Sequence, residues 1–454
     1  MALLIAFLVF LLSMVAAIFT GHSMIIALLI GLLAFSSAAA AKGYRFKALG
    51  SMALDGVKGS LIVIEVMCVI GFVTASWRVS GTITIFVYYG MKIITPALFL
   101  LIAFLLSCLL SYALGTSFGV AGTVGVIFMT LARSGGVDPV ITAGVLMSGI
   151  YFGDRGSPVS SSANMVAGIT GTKIFDNVKL MMKTAIVPFV TTLAVYTVLS
   201  VMNPISQVDQ ALVASFEKEF VLSLWAFVPA VVMLLLPLLK VSVLISMGLS
   251  ILCAVAVAWL VQGVPLPEVF KICFVGYEAQ GEGLGIILNG GGLVSMLEIV
   301  FILLISSSYS GIFSGTGLLD DIQERLSRAC TRFGRFTVLL SMSIGTAAVF
   351  CNQTIATLMC CDLLKKPYLE GIRTAEDSAD AADAAVSASM TELAIDMENS
   401  VILIACFIPW SIGCSVPLSF FGADFHSLPF AIYMYAVPIF WLLTKKHWFA
   451  GKAV

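Results

Sequence analysis

The chain has 454 residues, 60% of them hydrophobic and only 11% charged, with a formal net charge of −1 and a mean hydropathy of +1.08. Soluble domains carry about 25% charged residues, so the composition excludes a solvated globular surface, and the charge balance leaves no basic face for nucleic acid. What remains is a protein folded in a lipid bilayer, with room for on the order of a dozen spans of about 20 residues.

In chain order, apolar stretches predict membrane segments at 2–20, 23–41, 60–77, 94–114, 118–132, 139–152, 183–202, 220–238, 241–262, 292–310, 336–350, 400–418 and 427–444. The first lacks a basic n-region and an A-x-A cleavage site, so it reads as a transmembrane helix and not as a removed signal peptide. The third carries Glu65 inside LIVIEVMCVIGFV, and the 292–310 stretch carries Glu298 inside MLEIVFILLI. Acids inside apolar runs are expected to face the protein interior, as pathway carboxylates or as structural hydrogen-bonding groups.

Several stretches are interrupted. Gly115-Thr116-Ser117-Phe118-Gly119-Val120-Ala121-Gly122-Thr123 separates two apolar runs, and Gly153-Asp154-Arg155-Gly156-Ser157-Pro158-Val159-Ser160-Ser161-Ser162-Ala163-Asn164 follows the 139–152 run. Cys351-Asn352-Gln353-Thr354 and Asp396-Met397-Glu398-Asn399-Ser400 occupy comparable places later. Unpaired polar groups are costly in hydrocarbon, so such breaks must line a cavity or lie buried in protein. Their hydroxyls, amides and freed carbonyls suit a small cation, whereas a helix N-terminus there would suit an anion. The 153–164 stretch is also good turn chemistry, and the small residues of 115–123 also let helices pack closely. The Ala-, Asp- and Ser-rich stretch 364–395 predicts a solvent-contacting helical connection, and Glu392 and Asp396 are expected to belong to a wetted connection.

Lys42, Arg45, Lys47 and Lys58, then Arg325, Arg328, Arg332 and Arg335, then Lys445, Lys446 and Lys452 form basic clusters, while 203–219 is acidic. The positive-inside rule then puts both termini in the cytoplasm and 203–219 outside. Glu65 precedes Ser80-Gly81-Thr82 as Glu298 precedes Ser314-Gly315-Thr316, at offsets of 233 and 234 residues, and Phe46-Lys47 matches Phe270-Lys271. These matches predict inverted repeats at 1–202 and 220–454, joined by the external linker 203–219. The expected fold class is therefore an all-α polytopic membrane protein with about 10–13 membrane segments in two inverted-topology repeats, with broken helices or re-entrant hairpins.

Ten scattered cysteines form no CxxC pair and read as buried reduced thiols. Neither GxSxG nor HExxH is present, and His22, His426 and His447 match no zinc spacing, so an enzyme is not expected. A channel would share the polar breaks of a carrier.

Across most of its length the chain resembles the NhaC-type sodium/proton antiporters. Trp77-Arg78-Val79-Ser80-Gly81-Thr82 with Tyr88-Tyr89-Gly90 is similar to that family's W-x-x-S-G-T…YYG, the 115–123 stretch to G-T-S-W-G-T-A-G-T, Tyr151-Phe152-Gly153-Asp154-Arg155-Gly156-Ser157-Pro158 to YFGDK-x-SP, and Ile408-Pro409-Trp410 to IPW. Two departures stand out: Ser161 replaces the aspartate of L-S-D-T-T-N, and Asn399 replaces that of E-D-S-G-T. The resemblance implies a secondary transporter of the bacterial inner membrane that exchanges Na+ for H+ by alternating access. The alternative is a Na+- or H+-coupled carrier of organic acids or amino acids, malate/lactate-like, with Arg155 pairing a substrate carboxylate or anchoring an interface. The titratable groups expected are Asp154 and Glu398, with Thr116, Ser117, Asn164, Asn352 and Thr354 as neutral oxygens and Ser157, Ser161, Asn399 and Ser400 in the same motifs. Sodium is expected at Asp154, Asn164 and Glu398. No cofactor is expected beyond Na+ and H+ as coupling ions. The expected partners are the bilayer and a small cation, with an organic acid or amino acid under the alternative and a homodimer left open.

Overall fold

The computed structural model describes residues 2–20, 23–59, 61–93, 96–205, 210–239, 241–279, 284–316, 323–370 and 379–449. Among them the chain forms helices and no strand, apart from one isolated antiparallel bridge between Tyr277 and Gly290. The opening hairpin is α1 (Ala2–Thr20) and α2 (Met24–Ala41), followed by the amphipathic α3 (Phe46–Gly59). Next come α4 (Leu61–Val79) and α5 (Thr82–Ile93). Their axes bend by 63° at Gly81, whose φ of +73° is one that glycine adopts without penalty.

The N-terminal half continues with α6 (Phe99–Leu114), α7 (Ser117–Val120), a π turn at Ala121–Gly125, α8 (Val126–Ser134), α9 (Pro139–Gly156), α10 (Ser161–Thr170) and the long α11 (Ile174–Met202). After α12 (Gln210–Glu219) come α13 (Val228–Leu238), α14 (Val243–Leu260), α15 (Leu266–Val275), α16 (Gly285–Leu288), α17 (Leu297–Thr316) and α18 (Gln323–Phe333). The chain closes with α19 (Arg335–Phe350), α20 (Gln353–Leu369), α21 (Ala379–Glu398), α22 (Val401–Ile404), α23 (Ile412–Phe421) and α24 (Ile432–Phe449).

Among the described residues four helices are long and apolar enough to cross a membrane: Met24–Ala41, Ser117–Ser134, Ile174–Met202 and Leu293–Phe313; with each of two bent pairs, at Gly81 and at 408–411, taken as one span, there are six. Five shorter apolar helices stand beside them, among them Phe99–Leu114 and Arg335–Phe350, which stop where the sequence breaks. Leu12, Leu33, Leu109, Leu252 and Leu443 are exposed. An apolar coat of this extent would aggregate in water and is what a lipid-facing surface requires. All ten cysteines are free thiols, most of them buried.

The halves are interleaved. Amphipathic α3 packs on α17 of the C-terminal half, and α15 packs on α4 of the N-terminal half. Close approach explains the glycines: a Cβ on Gly56 would stand 2.1 Å from the Ser307 carbonyl oxygen, and one on Gly311 2.1 Å from that of Met52. On the other side the Gly292 amide donates to the Gly71 carbonyl at 3.0 Å.

Candidate functional site

Two helix breaks of the same construction define the centre. α6 ends in the left-handed residue Gly115 (φ +65°), and extended Thr116 then caps α7, its Oγ1 accepting from the Gly119 amide at 3.3 Å. α19 ends in left-handed Cys351 (φ +54°), and extended Asn352 caps α20, accepting from the amides of Thr354 (2.9 Å) and Ile355 (3.4 Å). The capping side chains satisfy amides that a helix start would otherwise leave bare.

Each break is tied to the polar segment that follows it in the same half. The Ser157 hydroxyl donates to the Tyr112 carbonyl at 2.6 Å, and a Cβ on Gly115 would meet the Val159 carbonyl carbon at 2.5 Å. In the C-terminal half the Ile412 amide donates to the Cys351 carbonyl at 2.8 Å, and the Trp410 indole to the Ala348 carbonyl at 2.7 Å.

The halves then meet through side chains. Asp154, only 3% exposed, accepts from Ser162 Oγ (3.2 Å) and Ser160 Oγ (3.4 Å) on one oxygen and from Gln353 Nε2 (3.2 Å) on the other. Gln353 also donates to the Ile402 carbonyl at 3.0 Å, so one amide spans the second break and the first carboxylate. The Arg155 side chain, 0% exposed, donates from Nε to Asn399 Oδ1 (3.1 Å), from Nη1 to Tyr433 Oη (3.0 Å), and from Nη2 to Thr184 Oγ1 (2.7 Å), the Met181 carbonyl (3.1 Å) and Asn399 Oδ1. The Tyr151 hydroxyl reaches the Gly413 carbonyl at 2.5 Å. Glu398 is fully buried, and neither of its carboxylate oxygens has a hydrogen-bond partner among the described residues. It lies within electrostatic reach of both Arg155 and Asp154.

Of the residues expected at the site, Ser117, Asp154, Ser157, Glu398, Asn399 and Ser400 are buried about this centre. Thr116 and Asn352 direct their oxygens to helix caps. Ser161, Asn164 and Thr354 are exposed, and the Asn164 amide donates to the backbone carbonyls of Pro158 (2.9 Å) and Ser160 (2.7 Å), away from the two carboxylates. Glu65 and Glu298, expected to face the interior, are both exposed. Met67, Ile70 and Val73 form the buried stripe of α4 and leave Glu65 off it, while Glu298 sits in the first turn of α17, where the helix dipole favours an acid. Among the described residues no group of three or more His, Cys, Asp and Glu is arranged to hold a metal ion.

Two further expectations change. Arg155 is neither an interfacial anchor nor a free clamp for a substrate carboxylate, since all three of its nitrogens are engaged. Asp396 is not in a wetted connection: it is 0% exposed and accepts from Trp441 Nε1 (2.6 Å), from the Tyr368 hydroxyl and from Lys445 Nζ. Lys445 also pairs with Glu392 at 2.6 Å, and Glu392 with Arg335 at 3.3 Å. The acid is buried because α20, α21 and α24 close over the end of the Ala-rich stretch, whose solvent-facing part stops at about residue 388.

The chain matches the Na+/H+ antiporter family over residues 1–162 and 149–444. It is 27% identical over 402 residues to the Na(+)/H(+) antiporter NhaC of Alkalihalophilus pseudofirmus, covering 87% of this chain and 84% of that one. It is 26% identical to the malate-2H(+)/Na(+)-lactate antiporter of Bacillus subtilis, over 81% of this chain and 78% of the other. It is 28% identical to the arginine/ornithine antiporter ArcD of Halobacterium salinarum, over 63% and 62% respectively. With its paired helix breaks and buried carboxylates, this chain is a multi-pass membrane protein that belongs to the Na+/H+ antiporter family.

Proposed function

We propose that the protein exchanges Na+ for H+ across the bacterial inner membrane by alternating access, with Asp154 and Glu398 as the shared binding station. The observation that carries this reading is the Glu398 carboxylate, fully buried and without a hydrogen-bond donor among the described residues. A buried charge in that state is costly unless something neutralises it, and either a proton or a sodium ion does so. The two ions compete for the same charge, and that competition couples their fluxes. Ser157, Ser400 and the carbonyls freed at the breaks supply neutral oxygens; Asn164 would join them only in another conformation. The alternating motion is that of two inverted repeats, 1–202 and 220–454, with both termini cytoplasmic. The matched breaks at Gly115 and Cys351, 236 residues apart, and the reciprocal packing of α3 and α15 support that division.

Purified protein in liposomes is expected to dissipate an imposed pH gradient only when Na+ or Li+ is added, and Asp154→Asn and Glu398→Gln to abolish this with insertion intact. Normal transport by Asp154→Asn would refute the assignment. Malate, lactate, arginine and ornithine belong in the same assay, because relatives named for those exchanges match this chain at similar identity. Release of the gradient by one of these acids alone would make the cargo organic.

A further inference from the structure

Resting on the exchange reading above, we infer that Arg155 is a resident counter-ion that leaves the centre with a single negative charge to neutralise, so that one Na+ exchanges for one proton with no net charge moved. The guanidinium is completely buried, and all its acceptors are neutral: Asn399, Tyr433, Thr184 and the Met181 carbonyl. The donors on Asp154 are equally neutral, and Glu398 has none among the described residues. Glu398 lies within electrostatic reach of both Arg155 and Asp154, so counted together two carboxylates and one permanent cation make the centre singly negative when both acids are ionised.

Among the described residues no charged neighbour changes that sum. Asp396 and Glu392 are matched by Lys445 and Arg335 in a network that balances itself. The tyrosines nearby, Tyr151 and Tyr433, and the thiol of Cys406 carry no charge at neutral pH. Net charge buried in a low dielectric is disfavoured, so the loaded forms of the centre hold either one sodium ion or one proton. Arginine suits the task better than lysine, because its charge cannot be titrated away. Asn399 is the residue that sets the number. An aspartate there would pair with Arg155 and release both Asp154 and Glu398 for ions.

The test is a null-point measurement on the full chain in vesicles. A tenfold Na+ gradient is opposed by a series of pH gradients until flux stops, with and without a potential set by K+ and valinomycin. The expected balance falls at about one pH unit, untouched by the potential, because a tenfold ratio of either ion then carries equal free energy. In Asn399→Asp the centre is doubly negative, so two sodium ions exchange for two protons: the balance stays at about one unit, and the Na+ dependence of the flux turns from hyperbolic to sigmoidal. A wild-type balance at about half a unit, or one that shifts with potential, overturns the inference while leaving Na+/H+ exchange intact. So does an active Asn399→Asp whose flux keeps the hyperbolic Na+ dependence of the wild type. If that variant fails to insert, the wild-type null point decides alone. Absence of any Na+-dependent balance would instead sink the exchange reading itself.

Discussion

Replacing Arg155 with methionine tests the centre as a piece of construction. The guanidinium ties α9 to α11 through Thr184 and Met181, to the segment after α21 through Asn399, and to α24 through Tyr433. Hydrogen bonds to a charged group are worth about 1.5–3 kcal/mol each in isolation, yet they are not additive, and removing a buried arginine also removes its desolvation cost. Removing one partner of a buried ionic arrangement typically costs about 3–5 kcal/mol, and that is the magnitude expected for Arg155→Met. Tyr433→Phe and Thr184→Val each delete one acceptor and are expected to cost about 1–2 kcal/mol. Arg155→Lys keeps the charge without the planar fork and should fall between these and methionine. Thermal unfolding in detergent, followed by tryptophan fluorescence, gives the order: wild type, then the single-acceptor variants, then lysine, then methionine. A methionine variant that melts with the wild type would show that Arg155 does not join these helices.

Two other expectations follow from the packing. A Cβ on Gly153 would lie 2.0 Å from the Ser111 carbonyl carbon, whereas one on Gly168 meets nothing within 4 Å. Gly153→Ala should therefore prevent close packing of α6 on α9 and abolish transport, while Gly168→Ala should be neutral or stabilising by about 0.5–1 kcal/mol; equal melting temperatures would refute the close approach. Lys445→Met leaves Asp396 buried without its cation and should destabilise by about 3 kcal/mol, and adding Asp396→Asn should restore part of the loss. A double variant no better than the single one would disprove the pairing.

Much of this was legible in the sequence because bilayer chemistry is severe. Gly115-Thr116-Ser117 and Cys351-Asn352-Gln353 announce breaks through residue types that end one helix and cap the next, and the structure puts a left-handed residue and a cap at each. Asp154 and Glu398 stood out as acids beside those breaks. What escaped was direction. Asn164 and Thr354 lie in the right segments yet face outward, since a side chain one helical step away points to another face. Gln353 lies in the second break, but only tertiary folding shows that its amide bridges Asp154 and Ile402. Glu65 and Glu298 misled because an acid in an apolar run need not lie on its buried stripe. Asp396 differs in the opposite sense: the polar composition of 364–395 says nothing of the last turn of α21, which is buried.

The reciprocal seating of α3 on α17 and α15 on α4 makes each half of the chain incomplete by itself. The stripe of α17 that receives α3 would face lipid with its backbone laid bare at Gly311 if the first 60 residues were missing, and Gly71 of α4 would lose the strand of backbone that bonds to it. Each half of the chain borrows part of its wall from the other, so neither α4 nor α17 is fully covered until both halves are in place.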